Sequence, residues 1–385
     1  NYIFDGTPCP NYPREMMPLA AWVAGEGRGY QPYSINGPHI YPELIDTADD
    51  QQTGRQAFLD RFVQFEWATN EFLDSGKGAK REVPRIKSKN LGEFRTWIAP
   101  LIKRRVQQEP AVQKHVRFPV PTLHDPISID WDIEHLLIYI AAVEDFASWY
   151  REYVKSQRLN EKGLNLTMIL ARLEACFKAA NVPAKVSGFA KPFTATTRKE
   201  QACVELVIDE IDKGRRPIVF ARNPFVLRRL AAQLTAAGVS SLVFTGDETI
   251  EARIKKLNSQ IREGDTQVLL ASLGVTQDGL NLPELNTFIF YNRSYKAREE
   301  FQAIYRLIRA KQTSDVYGYF LHMAGSIDEY MGQLIEWKTL ASEAGLDFGE
   351  QPDDEEFTHF DAFIYRFLES IPALKERVKA LRQAA

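Results

Sequence analysis

PIVFA at residues 217–221, SLVFTG at 241–246, QVLLAS at 267–272 and TFIFYN at 287–292 are short apolar runs separated by segments of helical periodicity. None alternates polar with apolar residues, as a strand with one wet face would. Continuous blocks of Val, Ile, Leu and Phe mark strands buried on both faces, and the intervening helices supply the cover that parallel strands need. The helices fall at Glu200–Lys213, Pro224–Ala237 and Thr249–Glu263, and a last apolar run, DVYGYFLHM, ends at Met323. The expected fold class is therefore α/β, a doubly wound parallel sheet over residues 199–340.

Between the last two runs lies QAIYRLIRAKQ, Gln302–Gln312, which sets Arg306 and Arg309 three residues apart. On a helix that spacing puts both guanidiniums on one face, where their planar forks of donors suit a small anion such as phosphate. The same pattern also describes the solvated side of an amphipathic helix.

A chain of 385 residues exceeds what one core ordinarily supports, so more than one packed unit is expected. Its 44% hydrophobic and 26% charged residues are those of a globular protein. Cys9, Cys176 and Cys203 have no paired spacing and the six histidines are scattered, so neither a disulfide framework nor a metal site is legible. A reducing compartment follows: cytoplasm for a prokaryotic or viral protein, nucleus for a eukaryotic one. The longest apolar stretch, Leu136–Val143, is too short to span a bilayer, and no membrane partner is expected. The net charge of −3 hides an uneven distribution. Lys77, Lys80, Arg81, Arg85, Lys87 and Lys89 form one basic tract, Lys103, Arg104 and Arg105 another, and acid gathers at Glu350–Glu356. A basic tract of this kind is either a phosphate-binding patch or a solvated loop.

Outside the sheet the chain reads as four further segments. Residues 1–42 open as YIF running into DGTPCPN, a strand and Gly/Pro turn that reads as the end of a lobe begun upstream. Residues 43–110 are helical in pattern, with Phe58, Phe62 and Phe65 and then Phe94, Ile98, Leu101 and Ile102 at helical spacing, interrupted by the loop-like basic tract. Residues 111–198 combine a proline-punctuated connector with helices at Asp132–Gln157 and Leu164–Ala180. Residues 341–385 hold an acidic linker and a helical tail.

Two nucleotide-binding signatures are missing. A phosphate-cradling loop needs GxxxxGK followed by Ser or Thr, and SGKG at Ser75–Gly78 lacks the first glycine and the final hydroxyl. VIDEID at Val207–Asp212 imitates a magnesium-binding Asp-Glu strand. Yet Val204, Val207, Ile208 and Ile211 fall on one helical face and Glu205, Asp209 and Asp212 on the other, so it reads as an amphipathic helix.

GTPCPNYPRE (Gly6–Glu15), SLGVTQDGLNL (Ser272–Leu282) and QAIYRLIRAKQ occur in the order of motifs III, V and VI of a known family. Together they resemble the Swi/Snf group of superfamily-two helicase-like ATPases. Pro217–Phe220 is similar to its motif IV strand, Phe244–Gly246 with Arg253 to its TG…R element, and Ile102–Arg105 to the doubled arginine of its first insertion. Ser326–Glu329 with Lys338 resembles its closing helix. The resemblance covers most of residues 1–340, beginning at motif III, and motif V is closest to the annealing-helicase branch. Departures are Asp5 before GTP, Tyr305, Lys311 and the NRSYK segment, Asn292–Lys296.

The resemblance implies a RecA-like second helicase lobe with helical insertions and the end of a truncated first lobe. It also implies ATP with Mg2+, bound mainly by that first lobe. Gln302, Arg306 and Arg309 would then face the triphosphate as catalytic residues, with Asp278 and Gly279 bordering the nucleotide. Ser272, Thr245, Gly246 and Asn223 would contact a DNA backbone from strand ends, although the Ser272 hydroxyl equally suits capping of the next helix. Lys87, Lys89, Arg104 and Arg105 would extend the basic surface along the groove, and the last two suit bracing of the lobe interface as well. The implied partners are double-stranded or branched DNA, and proteins through the C-terminal tail. A non-enzymatic docking module built on an isolated lobe is the alternative. A small-molecule α/β enzyme is disfavoured by the absence of a Gly-rich first turn.

Overall fold

The computed structural model describes residues 13–24, 54–67, 80–99, 109–116, 118–159, 166–186, 193–277, 281–294, 297–309, 312–332, 335, 364 and 367–384. By contact the chain divides into two compact units: residues 1–105 with 296–298 and 333–363, and residues 106–295 with 299–332 and 364–385.

The first unit contains α1 (Met16–Ala24), α2 (Gly54–Phe62), β1 (Val63–Trp67), β2 (Lys80–Ile86) and α3 (Leu91–Ile98). Phe58 and Phe62 lie one turn apart on α2 and meet Phe94 and Trp97 of α3, with ring centroids 5.4 to 6.4 Å apart. Met16, Met17, Val63 and Ile86 complete this core. Phe65 does not continue the helical series: it lies in β1 and is 38% exposed. VQFEW alternates apolar with polar residues, and that period of two prevails over the coincidental helical spacing. The expected basic loop is likewise corrected over Lys80–Ile86, which pairs antiparallel with β1. The register slips between Val63 and Phe65, opposite the stretch that holds Pro84, which has no N–H to give the ladder.

The second unit is built on a seven-stranded sheet: β3 (Thr122–Leu123), β4 (Ile127–Ile129), β5 (Pro217–Ala221), β6 (Ser241–Phe244), β7 (Val268–Ser272), β8 (Thr287–Phe290) and β9 (Tyr317–Met323). The order is β3-β9-β8-β5-β7-β6, with β4 also beside β9, and every pairing is parallel. The doubly wound α/β class read from the sequence is the class observed. The short edge strands β3 and β4 come from the proline-punctuated segment, which thus adds to the sheet rather than only bridging to it.

Ile218, Phe220, Leu269, Phe288, Phe290 and Phe320 project to one face and pack with Leu282, Leu285, Ala303, Leu307 and Ile308. On the sheet lie α7 (Arg198–Asp212) and α8 (Pro224–Ala236). Thr197 and Glu200 form a reciprocal capping box at the start of α7. VIDEID is therefore helical, as its periodicity requires. Lys199 on α7 and Asp328 form an ion pair with both side chains 0% exposed. Asn181 accepts from the Lys199 ammonium and donates to Asp328, each at 2.8 Å. Burial pulls the Lys199 pKa down, against the attraction of Asp328.

Two helices, α5 (Ile133–Leu159) and α6 (Leu166–Asn181), pack against one another, and the C-terminal helix, Ile371–Ala384, packs on α5. The shorter helices α4 (Pro110–Gln113) and α9 (Ile250–Lys256) belong to the same unit. The Lys375–Glu144 ion pair and a bond from Arg377 to the Ala324 carbonyl at 3.2 Å hold that helix in place.

Candidate functional site

Parallel strands end together, so the sheet gathers its strand-exit residues along one edge. Ala221 of β5 pairs with Ser272 of β7, and Phe244 of β6 pairs with Ala271 of β7. Asn223, Thr245, Gly246 and Ser272 thus occupy one edge, where the sequence reading put them. Their side chains are less available there than that reading supposed. The Asn223 carboxamide oxygen accepts from Phe225 N at 2.9 Å and caps α8. The Thr245 hydroxyl donates to Asp247 at 2.9 Å, and Asp247 also pairs with the exposed Arg228. Ser272 is buried, whereas Gly246 is exposed and has open space around its α-carbon.

Two arginines at this edge were missed from sequence. Arg222 immediately follows β5, bonds Glu174 at 3.0 Å and stacks over the Phe177 ring. Arg228 lies on α8, just past its capped end. The strand-end rule that singled out Asn223 would have reached Arg222 one residue earlier.

The paired arginines do not share a regular helix. The helix that leads to them, α10, spans Ala297–Ile304 and stops before either. Arg306 N then bonds Ala303 O at 3.2 Å and Leu307 N bonds Ile304 O at 3.0 Å, tightening the chain into successive turns. The cause is local packing. Leu307 and Ile308 are both buried in the sheet-face core, and the Arg306 carbonyl is taken by Leu282 N at 2.9 Å, so the helical ladder cannot continue. Gln312 closes the turn from the other side, donating to Leu285 O at 2.8 Å. The motif V loop and the arginine turn are thereby one packed piece.

Gln302, Arg306 and Arg309 are each half-buried. The Arg309 Nε is buried and has no hydrogen-bond partner among the described residues. Just before α10, the end of β8 carries a buried polar cluster. Arg293 Nε donates to Glu300 at 2.8 Å, Ser294 N donates to the same carboxylate at 2.6 Å, and Asn292 accepts from Arg222 N at 3.0 Å. Burial raises the Glu300 pKa, with Arg293 opposing.

The remaining expected residues lie elsewhere. In the first unit the Lys87 ammonium bonds the Asp60 carbonyl, and Lys89 is exposed on a short turn. Asp278, Gly279, Arg104, Arg105 and Gly6–Asn11 of motif III fall outside the described residues. Among the described residues, no group of three or more His, Cys, Asp or Glu is arranged to hold a metal. No described helix is long and apolar enough to cross a membrane.

The parallel sheet, its capped strand-end edge and the arginine turn folded against its face form an α/β lobe of RecA-like type. Residues 198–311 match the model of the helicase conserved C-terminal domain, and that stretch of the chain carries the domain. The C-terminal part of the Fun30 ATPase domain is similar over 66% of this chain and 99% of that one, at 14% identity and a TM-score of 0.48. The Sulfolobus solfataricus SWI2/SNF2 ATPase core domain is similar over 68% of this chain and 51% of that one, at 18% identity and a TM-score of 0.47. The same core in complex with dsDNA gives 66% and 52% coverage, 18% identity and a TM-score of 0.43. The matched region spans about half of both Sulfolobus cores.

Proposed function

We propose that the chain is the C-terminal part of an ATP-dependent double-stranded-DNA translocase or remodeller of the Swi/Snf group. In this reading a first lobe holds the nucleotide and this chain completes the site. The single observation that carries it is the Arg309 turn. A buried guanidinium donor without a partner costs about 1–3 kcal/mol or more, and a phosphate oxygen is the acceptor whose geometry matches it. The helicase conserved C-terminal domain over residues 198–311 supports the same reading.

Arg309 and Arg306 would meet negative charge as it develops on the transferring phosphoryl group, an effect worth about 10³–10⁵ in rate for an arginine supplied across a cleft. Gln302, about one helical turn before Arg306, would orient the attacking water through its carboxamide. ATP brings Mg2+, which neutralises phosphate charge. The residues of this chain suited to the triphosphate are the two guanidiniums and the amide. At the strand-end edge, the exposed backbone of Gly246 and the Arg222 and Arg228 side chains would hold a DNA backbone without reading its sequence. Asn223, Thr245 and Ser272 would shape that edge, because their polar groups already serve the fold or are buried. Lys89 would add basic surface in the first unit.

Closing and reopening of the two lobes around ATP would move that grip along one strand. Branched DNA, and proteins meeting the exposed Glu376, Lys379 and Arg382 of the C-terminal helix, belong to the same proposal, as does a cytoplasmic or nuclear location.

The test is ATP hydrolysis by the intact protein with and without duplex DNA. Stimulation by duplex is expected. A rate that duplex DNA leaves unchanged would overturn the reading in favour of a docking module.

A further inference from the structure

Asn292, Arg293, Ser294 and Glu300 are 3 to 6% exposed, yet all four are polar or charged. Their bonds run in two directions. Toward the sheet edge, Asn292 accepts from the backbone N–H of Arg222, the residue before Asn223. Toward α10, the Glu300 carboxylate receives Arg293 Nε on one oxygen and Ser294 N on the other, and the Ser294 hydroxyl donates to Glu299 at 2.6 Å. The Arg293 guanidinium also lies 4.2 Å from the centroid of Phe320 on β9, so its plane is fixed by a ring as well as by a carboxylate.

Glu300 stands two residues before Gln302, on the helix that delivers the arginine turn. Asn292 and Arg293 are adjacent in sequence. One short segment therefore grips the exit of β5 with one side chain and the arginine-bearing helix with the next. A buried ion pair contributes little net stability compared with apolar side chains of the same size, because both charges lose their water. It does impose direction: the carboxylate accepts from two donors and tolerates few other positions of α10.

We propose that Asn292, Arg293 and Glu300 are positioning residues that tie the placement of Gln302, Arg306 and Arg309 to the strand-end edge. Duplex DNA held at that edge then sets the arginines for hydrolysis. This inference rests on the functional reading above and adds the link between its two surfaces.

The experiment uses the intact protein. The double variant Arg293→Met/Glu300→Met keeps the volume of the clamp and leaves no buried charge unpaired. The expected result is a melting temperature near that of the unaltered protein and dissociation constants for ATP and duplex DNA within about twofold. DNA-free hydrolysis is expected to hold within about twofold while the DNA-stimulated kcat falls at least about tenfold. Asn292→Leu, which removes only the bond to Arg222, should lose stimulation in the same way, and Asn292→Asp, which keeps the acceptor, should retain it. Asn292→Leu decides the matter should the double variant fail to fold. Full stimulation in either folded variant overturns the clamp alone. A parallel fall in DNA-free and DNA-stimulated rates shows a merely structural role and also overturns it. Absence of DNA stimulation in the unaltered protein overturns the functional reading, and the inference with it.

Discussion

In the proposed function Arg309 carries the chemistry, and that role sets a requirement that is geometric as well as electrostatic. A lysine keeps the charge but offers a point donor on a flexible stem in place of a planar fork. Arg309→Lys should therefore recover no more than about a tenth of the DNA-stimulated rate, read as kcat under saturating ATP. Recovery to near the original rate would mean that charge alone suffices. Lys199 makes a contrasting case, because its ammonium is wholly consumed by Asp328 and Asn181 inside the fold. Lys199→Met alone leaves Asp328 buried and uncompensated and should cost about 3–5 kcal/mol in urea unfolding, whereas Lys199→Met/Asp328→Leu should restore most of it. A small effect of the single change would contradict the buried pairing. At this scale the spacing of Arg306 and Arg309 and the strand-end places of Asn223, Thr245, Gly246 and Ser272 were legible, since each follows from local sequence. The Arg222–Asn292 bond was not, because seventy residues separate its partners and only the pairing of β5 with β8 joins them.

Elements were legible where one period dominated. PIVFA, QVLLAS and TFIF are continuous apolar blocks and became β5, β7 and β8. The reading failed where periods competed. VQFEW continues a helical phenylalanine series yet alternates perfectly, and it is a strand. QAIYRLIRAKQ looks helical throughout, but the helix ends at Ile304 because Leu282 takes the Arg306 carbonyl, a tertiary bond invisible in the segment itself. Close packing between elements gives a further prediction. A β-carbon added at Gly318 in β9 would stand 2.3 Å from the Phe288 ring and 2.8 Å from Leu123. Gly318→Ala should thus destabilise the sheet by about 1–3 kcal/mol, measured as a lowered urea midpoint with unchanged slope. An unchanged midpoint would contradict the packing of β3, β8 and β9 around that glycine.

For the molecule as a whole, the alternation of helix and buried strand was sufficient to give the α/β class, while the antiparallel pair of the first unit was hidden by the helical phenylalanine spacing and the basic charge of β2, and the edge strands β3 and β4, two and three residues long, were too short to announce themselves. Stability of the second unit should depend on pH through two buried histidines. Burial lowers the pKa of His135 and of His322 from 6.5 to about 4. His135 Nε2 donates to Ala179 O at 2.8 Å and its Nδ1 is buried without a hydrogen-bond partner among the described residues, which suits the neutral ring. A base whose pKa is depressed by folding contributes stability that is present above its unfolded value and lost as the pH falls through 6.5 toward 4. At roughly 1.4 kcal/mol per pH unit the loss approaches about 3 kcal/mol for each ring. Urea midpoints should fall from pH 7 to pH 5, and His135→Gln/His322→Gln should remove most of that slope. A midpoint independent of pH over this range in the unaltered protein would contradict the burial of both rings. The central claim is that the arginine turn acts on nucleotide, and its most direct measurement is the ATP turnover of intact protein carrying Arg309→Ala at saturating duplex DNA. The rate should drop to that seen without DNA while duplex binding is retained. Full DNA-stimulated turnover by the alanine variant would contradict it.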